Sequence, residues 1–149
     1  MFNPYELIEI VAIYLRKSRE NEEDDVLIKH RMELVSLAEK FNWKYVIYPE
    51  VVSGDTISSR PEMQKLLRDM QEDLYDAVLV VDIDRLGRGE HEDQGLIKKT
   101  FTKTNTFIIT PNKLYNLNEE ADEDYYDMQA FMARQEYKMI KRRFRRGKK

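Results

Sequence analysis

Apolar positions along this chain follow two rhythms. In residues 7–15, LIEIVAIYL, both alternate sets are largely apolar: Ile8, Ile10, Ala12 and Tyr14 on one side of an extended chain, Leu7, Val11, Ile13 and Leu15 on the other. Side chains alternate across a strand, so this pattern predicts a central strand covered on both faces. Residues 77–81, AVLVV, predict a second buried strand, short and continuous. Residues 43–48, WKYVIY, predict another, with Val51 and Val52 a continuation past Pro49. Residues 105–110 predict a fourth strand and 113–117 a short edge strand. Between these segments the spacing changes to threes and fours. Leu27, Arg31, Leu34, Leu37, Ala38 and Phe41 predict a helix over 26–41, with Asp24 or Asp25 at its start. Further helices are predicted over about 62–73, entered through Pro61, over 92–103, and over a long final segment of about 120–146. The stretch VSGDTISSRPEM from Val52 carries the residues of an exposed loop. Strands alternating with helices predict an α/β fold, a central mostly parallel sheet flanked by helices. The expected division is a core over 1–118 and a long C-terminal helix over 119–149.

The length of 149 residues fits one domain with a core of its own. There is no cysteine, which removes disulfides and thiolate metal sites and fits a reducing compartment. No stretch approaches 18 consecutive apolar residues, so a soluble, cytoplasmic protein is expected. Charge adds more than its total suggests. Residues 138–149, KMIKRRFRRGKK, hold eight basic side chains and no acid, so the net −3 divides into +8 here and −11 elsewhere. Acids gather at Glu20–Asp25 and Glu119–Asp127. A basic end on an acidic body predicts contact with phosphates in a few places only.

Candidate chemistry lies where strands end. In open α/β sheets, functional groups favour the carboxyl ends of strands. Arg16, Lys17 and Arg19 follow the first apolar run and enclose Ser18; Arg60 follows the second; Arg85 and Arg88 follow the third. A serine hydroxyl is a weak nucleophile unless it is activated and oriented. Guanidinium forks around it would grip a phosphodiester and stabilise charge developing on its oxygens. Taken locally, Ser18 could equally be a turn residue or a non-catalytic anion contact. The arginines could be solvated side chains neutralised by neighbours, as Asp82 and Asp84 beside Arg85 suggest. His30 and His91 read as helix-surface or helix-flank residues.

Four segments together carry a family likeness. YLRKS (14–18), VSGDTISSRPEMQKLL (52–67), VVDIDRLGRG (80–89) and ARQEYKMIKRRFRRG (133–147) resemble, in order and spacing, the motifs of the serine recombinase catalytic domain, the resolvase and invertase superfamily. The likeness points to the large serine recombinase and phage integrase branch, proteins of mobile elements. It implies Ser18 as nucleophile and Arg16, Arg60, Arg85 and Arg88 as catalytic arginines, with Tyr14, Asp84, Glu136 and Arg143 in supporting positions. It further implies cleavage and rejoining of double-stranded DNA through a 5′-phosphoserine link, without nucleotide or metal cofactor. The implied assembly is a homodimer that becomes a tetramer on synapsis, in a bacterial or phage-infected cell. The final helix would carry dimerisation and lead to a DNA-binding region beyond this chain, with Lys138, Lys141, Arg142, Arg145 and Arg146 toward DNA.

Asp82 departs from the pattern, since relatives often carry lysine there, and the residue that takes the serine proton is not apparent. Two alternatives therefore stand beside strand transfer. One is a catalytically inactive dimerisation or synapsis module. The other is a metal-dependent nuclease or phosphatase built on Asp82, Asp84 and Glu90.

Overall fold

The computed structural model describes residues 3–18, 25–52, 60–86 and 91–147; for Ser18, Val52, residues 91–94 and most of 133–147 it describes the backbone alone. Nine elements form the frame: β1 (Ile10–Ser18), α1 (Val26–Lys40), β2 (Lys44–Val52), α2 (Pro61–Gln71), β3 (Ala77–Leu79), α3 (His91–Thr104), β4 (Phe107–Ile109), β5 (Leu114–Tyr115) and α4 (Glu120–Gly147). Short 3-10 turns occupy Pro4–Leu7 and Ile83–Leu86. The five strands form one sheet in the order β2-β1-β3-β4-β5. All pairings are parallel except β4 with β5, which is antiparallel. This is the expected α/β architecture with a long C-terminal helix.

Strand alternation divides the core in two. Ala12, Tyr14, Tyr48, Val78, Val80 and Ile108 face α2, α3 and α4, meeting Met63, Leu66, Phe101 and Tyr126. Val11, Ile13, Leu15, Ala77, Leu79 and Ile109 face α1, meeting Leu34 and Ala38, with Trp43 closing that side. The step from β1 to β2 runs toward one sheet edge over one face. The steps from β2 to β3 and β3 to β4 run the other way over the opposite face, as right-handed crossovers require.

Several boundaries differ from those predicted. β1 begins at Ile10 rather than residue 7, because Pro4 starts a 3-10 turn that leaves Leu7 exposed. β1 also runs on through Arg16 and Lys17 to Ser18, pairing with Glu50, Val51 and Val52. β2 passes through Pro49 without a break; it is the edge strand, where a missing amide is tolerated. Arg31, counted on the apolar stripe of α1, is exposed. Asp25 occupies the cap position of α1 without a side-chain hydrogen bond, and Asp24 lies outside the described residues.

Three helices end in one way. Asn42, Asp73 and Asn105 take left-handed φ angles of 60°, 58° and 55°. Just beyond them the amides of Trp43, Leu74 and Thr106 donate back to the carbonyls of Ala38, Asp69 and Phe101, at 2.9, 3.3 and 3.2 Å. This closure satisfies carbonyls that the helix leaves open and turns the chain toward the next strand. Asp73 is exposed, so its backbone conformation decides the effect of replacing it. Asp73→Gly should raise stability by about 0.5–1 kcal/mol and Asp73→Val should lower it, read as opposite shifts of the melting temperature.

Candidate active site

The topology selects one place on the sheet. β1 and β3 are neighbours, yet the connections leaving them run in opposite directions. Such a divergence opens a crevice at the carboxyl ends of the two strands. Ser18 is the last residue of β1, and the turn Ile83–Leu86 follows β3 there.

Two guanidinium groups are buried at this crevice. Arg16 is 3% exposed and Arg60 only 1%. Taking such groups out of water is costly unless protein acceptors replace the lost hydration. The 3-10 turn supplies carbonyls. Arg16 donates through Nε to the Arg85 carbonyl at 3.0 Å and through Nη2 to the Asp84 carbonyl at 3.1 Å. Arg60 donates through Nη1 to the Leu86 carbonyl at 2.6 Å. Arg85 answers by donating through Nη1 to the Arg16 carbonyl at 2.9 Å. Four hydrogen bonds thus bind β1 and the start of α2 to one short turn. Arg60 Nε and Nη2 are buried and have no hydrogen-bond partner among the described residues.

The balancing acid is one that sequence reasoning passed over. Glu50 on β2 is 3% exposed and is the parallel partner of Arg16. Its carboxylate accepts from the Glu62 amide at 2.8 Å, the Met63 amide at 3.0 Å and the Tyr14 hydroxyl at 2.8 Å. Arg60, at the cap position of α2, provides no side-chain cap bond. Glu50 therefore caps that helix from another element, where negative charge also suits the helix dipole. The cap fixes the backbone that launches Arg60. Through these three donors Glu50 ties β1, β2 and the start of α2 together. The available signal was an acid within an otherwise apolar strand, YPEVV, facing the cationic end of LRKS.

Tyr14 is completely enclosed. Burial raises its phenol pKa far above the ordinary tyrosine value; Arg60 and Arg16 pull it down, and Glu50 pushes it up. The hydroxyl thus stays protonated and keeps donating to Glu50. Tyr126 on α4 is also buried, and its pKa is likewise raised by burial, with Asp127 adding to the rise and the charge of Arg60 opposing it.

The structure brings together Tyr14, Arg16, Arg60, Asp84 and Arg85, with the Ser18 backbone at the same strand end. Asp82 is exposed, and its carbonyl accepts from the Arg85 amide at 3.2 Å. Arg88 and Glu90 lie outside the described residues. Glu136, Lys138, Lys141, Arg142, Arg143, Arg145 and Arg146 all fall within α4, where only their backbone is described. Among the described residues no group of three or more His, Asp or Glu side chains is disposed to hold a metal ion. No helix of the described residues is long and apolar enough to cross a membrane.

The chain is similar to known proteins over most of its length. A family model described as the resolvase N-terminal domain matches residues 11–149. The N-terminal catalytic domain of TP901-1 integrase is 27% identical, with a TM-score of 0.65, covering 89% of this chain and 99% of that one. A resolvase family site-specific recombinase from Streptococcus pneumoniae shares the fold at 15% identity and a TM-score of 0.58, covering 95% of this chain and 99% of that one. A serine recombinase from Sulfolobus solfataricus does so at 22% identity and a TM-score of 0.52, covering 88% and 87%.

The Glu50 arrangement has a measurable consequence. Glu50→Ala should lower the unfolding free energy by about 3 kcal/mol or more, because it strands two helix amides and a buried hydroxyl. Tyr14→Phe should lower it by about 1–2 kcal/mol. In urea denaturation the double variant should lose clearly less than the sum of the two, since they share a hydrogen bond.

Proposed function

Since the chain belongs to the resolvase family of serine recombinase catalytic domains, we propose that it cuts and rejoins DNA through a phosphoserine link formed by Ser18. The Ser18 hydroxyl attacks a backbone phosphorus. The bond from that phosphorus to the 3′ oxygen breaks, a 3′ hydroxyl leaves, and the 5′ phosphate stays on the protein. Reversal with a new 3′ hydroxyl as the attacking group releases Ser18 and restores the DNA backbone. One phosphodiester is exchanged for another at each step, so no external energy source is needed.

One observation carries the reading. Arg60 is buried at the end of the nucleophile strand with one N–H donor bound to the Leu86 carbonyl, while Nε and Nη2 have no partner among the described residues. A guanidinium stays ionised when buried, so it must be neutralised or hydrogen-bonded by something. A phosphate at Ser18 would supply acceptor oxygens and negative charge together, and charge that grows in the transition state would strengthen the contact. Arg16 is held on the same strand face two residues before Ser18. Arg85 and Arg88 are assigned to the same phosphate. Asp84 and Glu136 are assigned supporting roles, and Arg143 is assigned a place closer to the site than the remaining tail.

The expected result with the recombinase and its own DNA site is a denaturation-resistant protein–DNA adduct, formed in excess EDTA and lost in Ser18→Ala while DNA binding persists. Replacing Arg16 or Arg60 with Lys should slow adduct formation by about a hundredfold or more. Adducts that survive in Ser18→Ala would overturn the assignment. Binding and dimerisation with no adduct in the parent would favour a synapsis module.

The end of α4 is assigned to DNA as well. On a helix Lys138, Arg142, Arg145 and Arg146 fall near one face, with Lys141 beside them. These side chains would touch phosphates without reading bases. Each lost contact should reduce the slope of log affinity against log salt by about one unit. Replacing Arg142, Arg145 and Arg146 with Gln should therefore flatten that slope by about two to three units in a salt titration of duplex binding.

A further inference from the structure

The proposed chemistry uses the arginines but leaves open what holds the turn that holds them. The carbonyls of Asp84, Arg85 and Leu86 anchor Arg16 and Arg60, and this turn packs directly against α4. A cavity of about 140 Å³ adjoins that contact, lined by Asp82, Ile83 and Asp84 on one side and by Tyr125 and Gln129 of α4 on the other. The turn and α4 share this contact, and Leu86 and Tyr126 share one buried cluster, so the turn depends on where α4 is held.

The first turns of α4 are held by a set of charged contacts. Lys98 of α3 lies between two acids of α4, 3.0 Å from Asp127 and 3.4 Å from Glu123. Asp122 pairs with Lys113 at 3.1 Å and accepts from the Asn116 amide at 2.9 Å. Tyr125 stacks on Tyr115 with ring centroids 5.5 Å apart. Tyr126, one residue on, is buried in the same core cluster as Met63, Leu86 and Tyr14. Beyond this point α4 presents Met128, Phe131, Met132 and Met139 to solvent. The first two turns of α4 are thus fastened to α3 and to the β5 segment.

We propose that Lys98 is a positioning residue for the arginine site, acting through α4 and the Ile83–Leu86 turn, so that its hold on α4 sets how firmly Arg16 is held. This rests on the phosphoserine reading for its catalytic meaning but not for its physical test. Hydrogen bonds weaken steeply beyond about 3.5 Å, and the Arg16 contacts stand at 3.0 and 3.1 Å. A shift of the turn by a fraction of an ångström is enough to loosen them.

The test measures solvent exchange of the Arg16 Nε–H by NMR in this chain without DNA. The control is the indole N–H of Trp43, buried in the core on the opposite face of the sheet. Lys98→Glu and Asp127→Lys should each accelerate the Arg16 exchange about tenfold, leave Trp43 within about twofold, and partly cancel when combined, Glu123 opposing the acid introduced at position 98. Lys98→Met, which keeps the aliphatic stem, should show a smaller change in the same direction. Equal acceleration at Arg16 and Trp43 would mean general loosening and overturn the proposal. So would an unmoved Arg16, or a double variant no better than the worse single one. Because the measurement involves neither DNA nor catalysis, its failure leaves the phosphoserine reading intact. A parent without adducts would equally leave the exchange result to decide the coupling.

Discussion

A guanidinium group cannot leave water without replacing its hydration, and this chain buries two of them against one short turn, those of Arg16 and Arg60. Neither can shed its charge. The fold meets the demand with main-chain carbonyls from the Ile83–Leu86 turn, while the buried carboxylate of Glu50, on the neighbouring strand, offsets the positive charge. Much of the surrounding structure follows from that. β2 must run beside β1 in a register that sets Glu50 opposite Arg16. α2 must begin where its first amides reach Glu50, which places Arg60. β3 must end early enough for the Ile83–Leu86 turn to aim the carbonyls of Asp84, Arg85 and Leu86 at the two arginines.

The arrangement also explains how the site is held rigid while donors of Arg60 stay unengaged among the described residues. An arginine matched to a carboxylate in a closed bidentate pair would have its donors occupied. Here carbonyl dipoles orient Arg16 and Arg60, and Nε and Nη2 of Arg60 have no hydrogen-bond partner among the described residues. Glu50 spends its oxygens on a helix start and on Tyr14. The result is a preorganised field of guanidinium donors, and under the proposed function it would stabilise charge developing on a phosphoryl group without rearrangement. The topology contributes by placing this field in the crevice between β1 and β3.

The order and type of the main elements were legible because alternation and helical spacing are strong where both rhythms are clean, as in IVAIY and PEMQKLLRDM. The end of β1 was less so. Charged residues usually mark the end of a buried strand, and what keeps Arg16 and Lys17 in the ladder is the partner strand, which no local window contains. The four ordered motifs identified the family and singled out Arg16, Arg60 and Arg85, which the structure gathers at one turn. They did not reveal Glu50, whose importance comes from two amides that are 12 and 13 residues distant in sequence. Nor did they reveal the 3-10 turn, since IDRL carries no periodicity long enough to predict one. Arg88 and the side chains at the end of α4 remain assigned by motif and helix phase, because they lie outside what the structure describes.

The central claim is that the buried arginines at the end of β1 form a receptor for a tetrahedral oxyanion. Crystals of this chain grown with tungstate, a heavy analogue of phosphate, address it directly. The account predicts anomalous density beside Ser18, within hydrogen-bonding reach of Arg60 Nε or Nη2, and its loss in Arg60→Met crystals of the same form. Tungstate found only along the basic end of α4, with none at Arg60, would contradict it.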